Sequence, residues 1–374
     1  MHRLDLGSGA HYTSADDFLE LGGEAPDFLL KSCDLRMGPL LASMTAAILG
    51  LTTVLAAQAS PGFLGRPSEA SIRVVTWNVY DSSIFPQDGE AVDVSAANRP
   101  GQFARVLRAL KPDVLCLQQV PESAARSAAL VEHSLPLPDG STWQAHSAVD
   151  TVIVSRFRIS ARDQGEVTGE RQRGHAIAMI ETPATDLYVI CAHFQSSDGR
   201  EDVVQRRQQA AIIARTIRQA KAGRGAISLR ARTPFMILGD FNAIPGATLF
   251  VDALVKGKAA YPTADGRTEG LDWDHSSLTD AQPRHNGTGS ARYTWRNDLE
   301  RFPPGMLDRI LYSDSVLASV NQFVLDTTVM SYRELVSAGL RTIDVMRDPQ
   351  AGIHDHFPLV IDVVRRPATA RDVK

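Results

Sequence analysis

Nine short apolar runs, each bounded by turn-forming residues, constrain this chain more than any other feature. They are Ile72–Trp77, Val114–Leu117, Thr151–Phe157, His175–Ile180, Leu187–Phe194, Pro234–Leu238, Leu307–Tyr312, Asn321–Leu325 and Phe357–Val364. Runs this short and this rich in β-branched residues read as strands, many of them buried on both faces. Helical stretches lie between them. Phe103–Leu110 is one, ended by Lys111-Pro112-Asp113. Asp202–Ala222 is another, with Ala210, Ile213, Ala214 and Ile217 forming an apolar stripe opposite Gln208, Arg215 and Gln219. Strand–helix alternation mixed with closely connected strand pairs predicts an α/β sandwich rather than a purely βαβ wheel.

Composition excludes some functions. The 374 residues are 44% hydrophobic and 22% charged, as in soluble globular proteins. The net charge of -4 is uneven: residues 1–59 hold three basic and seven acidic residues, leaving 36 of each sign beyond them. A neutral body generates no global field to gather nucleic acid, although a local patch is compatible with it. Residues 203–239 hold eight Lys or Arg and no acid; a solvated helix face and an anion-binding surface both account for that. Of three cysteines, Cys116 and Cys191 lie in apolar runs and read as buried packing residues. No CxxC or Cys/His zinc spacing occurs, and no disulfide framework is indicated.

The chain begins with a delivery problem. From Gly38 to Ala59 no residue is charged, Ala46–Ala57 has the length of a signal-peptide core, and Ala57-Gln58-Ala59 offers a small-x-small cleavage site. The 36 residues before Met37 are too long and too acidic for a signal n-region, which fits a translation start at Met37. A cleaved signal and a secreted or periplasmic protein are expected, with an uncleaved anchor as the alternative. The expected organisation is a lead and signal-like segment over 1–59, a spacer over 60–70, one domain over 71–366 and a tail over 367–374.

Polar residues recur where strands end. Asn78 follows the first run, Gln118 and Gln119 follow the second, and His193 closes Leu187–Ala192. Asp240 and Asn242 follow Phe235–Leu238, Asp308 lies in the run beginning at Leu307, and His354-Asp355-His356 precedes Phe357. Ligands collect at strand ends because loops converge there on a rigid frame. So many carboxylates, imidazoles and amides at such positions point to a shared cation or anionic substrate.

Taken in order, Trp77-Asn78, Leu117-Gln118-Gln119, Ala192-His193, Gly239-Asp240-Phe241-Asn242, Leu307-Asp308 and Asp355-His356-Phe357-Pro358 resemble the signature of the endonuclease/exonuclease/phosphatase superfamily. The resemblance covers roughly residues 71–365. It implies a four-layer αββα sandwich of two mixed β-sheets flanked by helices, and a metal-dependent phosphodiester hydrolase. His356 paired with Asp308 would polarise the phosphate or the water, and Asp240 would align the water. Asn242 would hold a non-bridging oxygen, and His193 would donate to the pentacovalent phosphate. Asn78, Gln119 and Asp355 would surround Mg²⁺ or Mn²⁺, hard ions that prefer oxygen.

The chain departs from the family's pattern at Gln119, where the family has a metal-binding Glu. The departure leaves three readings: a working but weaker metal site, compensation by Glu122, or a catalytically impaired binding module. His354 also stands where the family often has Ser. The expected partner is nucleic acid or another phosphodiester substrate, acted on by a monomer without stable membrane association after signal cleavage. Nuclease-like activity leads, with lipid or small-molecule phosphoester hydrolysis behind it. Arg171 and Arg173 read as part of a solvated loop, with phosphate contact near the site as the alternative, and Trp295 reads as a buried structural residue rather than a base-stacking one.

Overall fold

The computed structural model describes residues 62–87, 90–166, 174–258 and 269–367. The signal-like segment, the tail from residue 368 and the Arg171/Arg173 pair lie outside them. The chain divides into units Met1–Ala56 and Ala57–Lys374, and every described residue belongs to the second. Among the described residues no helix is long and apolar enough to cross a membrane.

In chain order the elements are β1 (Ile72–Asn78), α1 (Arg99–Leu110), β2 (Val114–Gln118), α2 (Ala124–Ser134), β3 (Gln144–Ala148), β4 (Thr151–Ser155) and β5 (Arg158–Gln164). They continue with β6 (His175–Glu181), β7 (Asp186–His193), α3 (Arg200–Lys221), β8 (Phe235–Asp240), α4 (Leu249–Val255), β9 (Thr279–Asp280) and β10 (Arg284–His285). The last are β11 (Asp308–Tyr312), β12 (Leu317–Val324), α5 (Tyr332–Ala338) and β13 (Leu359–Arg365). One sheet runs β10-β12-β13-β1-β2-β4-β3 and the other β5-β6-β7-β8-β11-β9. Both are mixed: β1 and β2 are parallel in the first, β7 and β8 in the second, and most other pairs are antiparallel.

Period-two alternation divides the core. On β7, Leu187, Val189 and Cys191 join the cluster shared with the first sheet. Tyr188, Ile190 and Ala192 face the other way and pack with Ala210, Ile213 and Ile217 of α3. Helix α1 covers the opposite side through Phe103, Val106, Leu107 and Leu110, with Phe103 stacked on Trp77 at 5.8 Å. The arrangement is the expected four-layer sandwich.

Four strands escaped the apolar-run reading, β3, β5, β9 and β10, all of them at sheet edges, and β9 and β10 are only two residues long. β3 and β5 are sheet edges, half in solvent, so they lack a continuous apolar run. The basic stretch over 203–239 is less solvated than its composition suggests. Arg206 is fully buried and donates to the carbonyls of Gln195 and Ser197, while Lys221 donates to those of Leu271 and Asp272.

The cysteines require a correction. Cys116 and Cys191 are buried as expected, but they are joined in a disulfide with a Cα–Cα distance of 5.7 Å. The bridge ties β2 of one sheet to β7 of the other across the core. The two residues are 75 positions apart, so only the facing of the two sheets reveals the pair.

Candidate active site

The strand ends meet at one margin of the sandwich. On the second sheet, register sets His193 beside Asp240 and Asp240 beside Asp308. On the first, Asn78 lies beside Gln118. Alternation on β8 sends Met236 and Leu238 into the intersheet core, so Asp240, two residues on, points to the same side. Gly239 makes the close approach possible. Its φ is +141°, and a Cβ there would lie 1.9 Å from the carbonyl oxygen of Ala192, so no other residue fits.

Asp240 is the hub. Its Oδ2 accepts from Asn78 Nδ2 at 3.0 Å and from Asn242 Nδ2 at 3.2 Å, and its Oδ1 accepts from the Asn242 backbone N–H at 2.8 Å. The Nε2 atoms of His193 and His356 each stand 3.6 Å from Asp240 Oδ2. Each imidazole is held from behind by a second carboxylate: His356 Nδ1 lies 2.8 Å from Asp308 Oδ2, and His193 Nδ1 lies 2.8 Å from Asp150 Oδ2.

These groups decide one another's charge. Burial opposes a charge on His356, but Asp308 and Asp240 outweigh it and push its pKa up to about 10. Burial would also raise Asp240, yet His356 and His193 hold its carboxyl below the ordinary value. Asp308 is raised, because burial exceeds the pull of His356.

The segment bearing His356 is clamped. Trp77 Nε1 donates to the His356 carbonyl at 3.0 Å, and Phe357 N–H donates to the Thr294 carbonyl at 2.8 Å. Trp295 Nε1 donates to Asp355 Oδ1 at 3.0 Å. Trp295 is half-buried rather than fully buried, and with Asn242, His356 and Phe302 it lines a cleft of about 190 Å³.

The other expected residues sit close by with their oxygens partly engaged. Asn78 Oδ1 accepts from Tyr80 N–H at 3.2 Å, and Gln119 Oε1 accepts from Asp81 N–H at 3.0 Å. Both side-chain amide hydrogens of Asn242 have acceptors, Phe194 O and Asp240 Oδ2, so in this geometry Asn242 shapes Asp240. Glu122 pairs with Arg126 at 2.9 Å along its own helix end, which turns its carboxylate to another use.

Asp150 was not anticipated. It lies in the two-residue turn between β3 and β4, beside Val149, whose φ is +56°. A β-branched residue held in that region is strained. An Asp in a turn carries no sequence signal that separates it from a local cap.

Asp240, Asp308 and His356 form a group that could hold a metal ion, with candidate ligand atoms within 4.8 Å of one another. Among the described residues no hydrogen bond reaches the buried Asp308 Oδ1, which leaves an oxygen to offer a cation. An imidazole that stays protonated is a poor ligand, whereas the oxygens of Asn78, Gln119 and Asp355 suit a hard cation. That set carries one formal negative charge, so it fits a divalent ion only weakly.

No curated protein matches the chain. Similar solved structures include an endonuclease/exonuclease/phosphatase from Bacteroides vulgatus, at 15% identity over 79% of this chain and 99% of that one, with a TM-score of 0.49. One from Beutenbergia cavernae is 16% identical over 80% and 73%, with a TM-score of 0.47. D. rerio TDP2, complexed with single strand DNA product, is 16% identical over 79% and 99%, with a TM-score of 0.45. The profile of the Endonuclease/Exonuclease/phosphatase family matches residues 75–332, well over half of the sequence, and the chain belongs to that family.

Proposed function

We propose that the protein is a metal-dependent phosphodiester hydrolase, with nucleic acid as the leading substrate class. The observation that carries this reading is Asp240 lying between two imidazoles, each backed by its own carboxylate. Phosphodiesters resist attack because the incoming oxygen and the phosphate repel each other. Asp240, kept ionised, orients a water and takes its proton as the P–O bond forms. His356, kept protonated by Asp308, neutralises charge developing on the phosphate. His193, oriented by Asp150, stands on the other side of Asp240 to donate to phosphate or to the leaving oxygen. Asn242 and Asn78 fix the carboxylate. A divalent ion at Asn78, Gln119 and Asp355 would supply further charge neutralisation.

The protein is also proposed to be exported, as a monomer free of the membrane once its signal is cleaved. The signal-like stretch before Ser60 and the Cys116–Cys191 bridge suit an oxidising compartment.

The test is cleavage of single- and double-stranded DNA and of a generic phosphodiester by residues 60–374, with Mn²⁺, Mg²⁺ or chelator. Metal-dependent turnover that His356→Ala reduces by at least about a hundredfold is expected. An inert wild type with an active Gln119→Glu variant would favour the binding-module reading, which the neutral Gln119 motivates. Turnover that survives chelation and His356→Ala would sink the assignment.

A further inference from the structure

The turn after β1 has a use that the catalytic cluster leaves unexplained. Tyr80, Asp81 and Ser82 all have positive φ, at 59°, 48° and 57°, and none is glycine. Such a run is held against its local preference. The holders are Asn78 Oδ1 on Tyr80 N–H, Gln119 Oε1 on Asp81 N–H, and the Gln119 carbonyl on Ser82 N–H at 2.9 Å. The result is a Tyr80 ring 40% exposed beside the site.

Arg347 lies over that ring, its guanidinium 4.3 Å from the ring centroid. Among the described residues it has no carboxylate or hydrogen-bond partner. Arg99 lies deeper, over Trp77 at 5.5 Å, with donors to Met346 O and Gln102 Oε1. Burial lowers its pKa to about 10, so it remains cationic at neutral pH. Tyr80, Arg99 and Arg347 line one cavity of about 500 Å³. The only acid in that lining, Asp348, turns its Oδ1 to the backbone N–H groups of Gln350 and Ala351.

We propose that this cavity is a subsite for a second phosphate of the substrate, next to the one that is cleaved, with Arg347 as its principal ligand. The inference rests on the phosphodiesterase reading of the neighbouring site. Two guanidinium groups line the cavity against one carboxylate, Asp348, whose Oδ1 is turned to backbone N–H groups, and Arg347 is in no ion pair among the described residues; that balance favours an oxyanion, and phosphate matches the guanidinium fork. Arg347, laid on Tyr80, is already ordered for such a contact. The subsite joins the reaction centre through one chain of bonds, Tyr80 N–H to Asn78 and Asn78 to Asp240. The second phosphate could be the next link of a polynucleotide or a ring phosphate of a small polyphosphorylated molecule.

The test is calorimetric binding by wild-type residues 60–374 in chelator. The ligands are the thymidine dinucleotide d(TpT) without terminal phosphate, with a 5′-phosphate and with a 3′-phosphate. Inositol 1-phosphate and inositol 1,4-bisphosphate form the second arm. One added phosphate should tighten binding about tenfold, Arg347→Ala and Arg347→Gln should erase that gain, and Arg347→Lys should restore part of it. A gain in the dinucleotide arm assigns the phosphate to a polynucleotide, and one confined to the inositol arm assigns it to a small molecule. No gain in either arm, or a gain that survives both neutral variants, overturns the subsite. Failure of the hydrolase reading looks different: no ligand is cleaved when Mn²⁺ is added, while the Arg347-dependent gain persists.

Discussion

His356 and Asp308 are joined at 2.8 Å between Nδ1 and Oδ2, and the pair is buried at the meeting of the two sheets. The contact keeps a proton on an imidazole whose surroundings would otherwise expel it. Asp308→Asn removes the charge but little of the shape. The pKa of His356 should then fall from about 10 as burial prevails. Wild-type activity that depends on the imidazolium is lost as pH rises through about 10, and in Asp308→Asn that loss moves to lower pH. Turnover at pH 7.5 should drop at least about a hundredfold. NMR titration of the His356 ring protons, beside the pH–rate profile, checks both; an unmoved titration would refute the coupling.

Gln119→Glu should restore a carboxylate among the candidate metal oxygens. The turn should survive, because a Glu oxygen still accepts from Asp81 N–H. Affinity for Mn²⁺, read by calorimetric titration, should rise about tenfold. Unchanged affinity would mean that residue 119 serves the turn and not the ion.

His175 is fully buried, and burial lowers its pKa to about 4. The unfolded chain therefore takes up a proton at higher pH than the native one. Stability due to this residue is intact above about pH 6.5 and is lost as pH falls toward 4, by about 3 kcal/mol in all. Urea unfolding at pH 7 and pH 4.5 should show a smaller loss in His175→Phe. An equal loss would assign the acid sensitivity elsewhere.

The Cys116–Cys191 bridge closes a long loop across the core. Reducing it without changing the sequence should destabilise the domain by about 2–4 kcal/mol, seen as a lower Tm in calorimetry. An unchanged Tm in chain shown by mass to be reduced would contradict a bridge that contributes to stability.

The sequence by itself determined the central strands and most of the reacting groups. Runs such as Leu187–Phe194 and Pro234–Leu238 are apolar because their strands lie between two packed layers, so burial writes them into composition. Asp240, Asp308, His193 and His356 were legible because each sits at or beside an end of such a run, in an order that resembles a known family. Edge strands β3 and β5 were not legible, since half-exposed strands need no apolar run. Only tertiary structure decided that Cys116 meets Cys191, that Asp150 reaches from a hairpin turn to His193, and that Arg347 lies over Tyr80. Each of these joins residues distant in sequence through the facing of two sheets or the fold-back of a loop. Local propensity cannot encode a partner that it never meets along the chain.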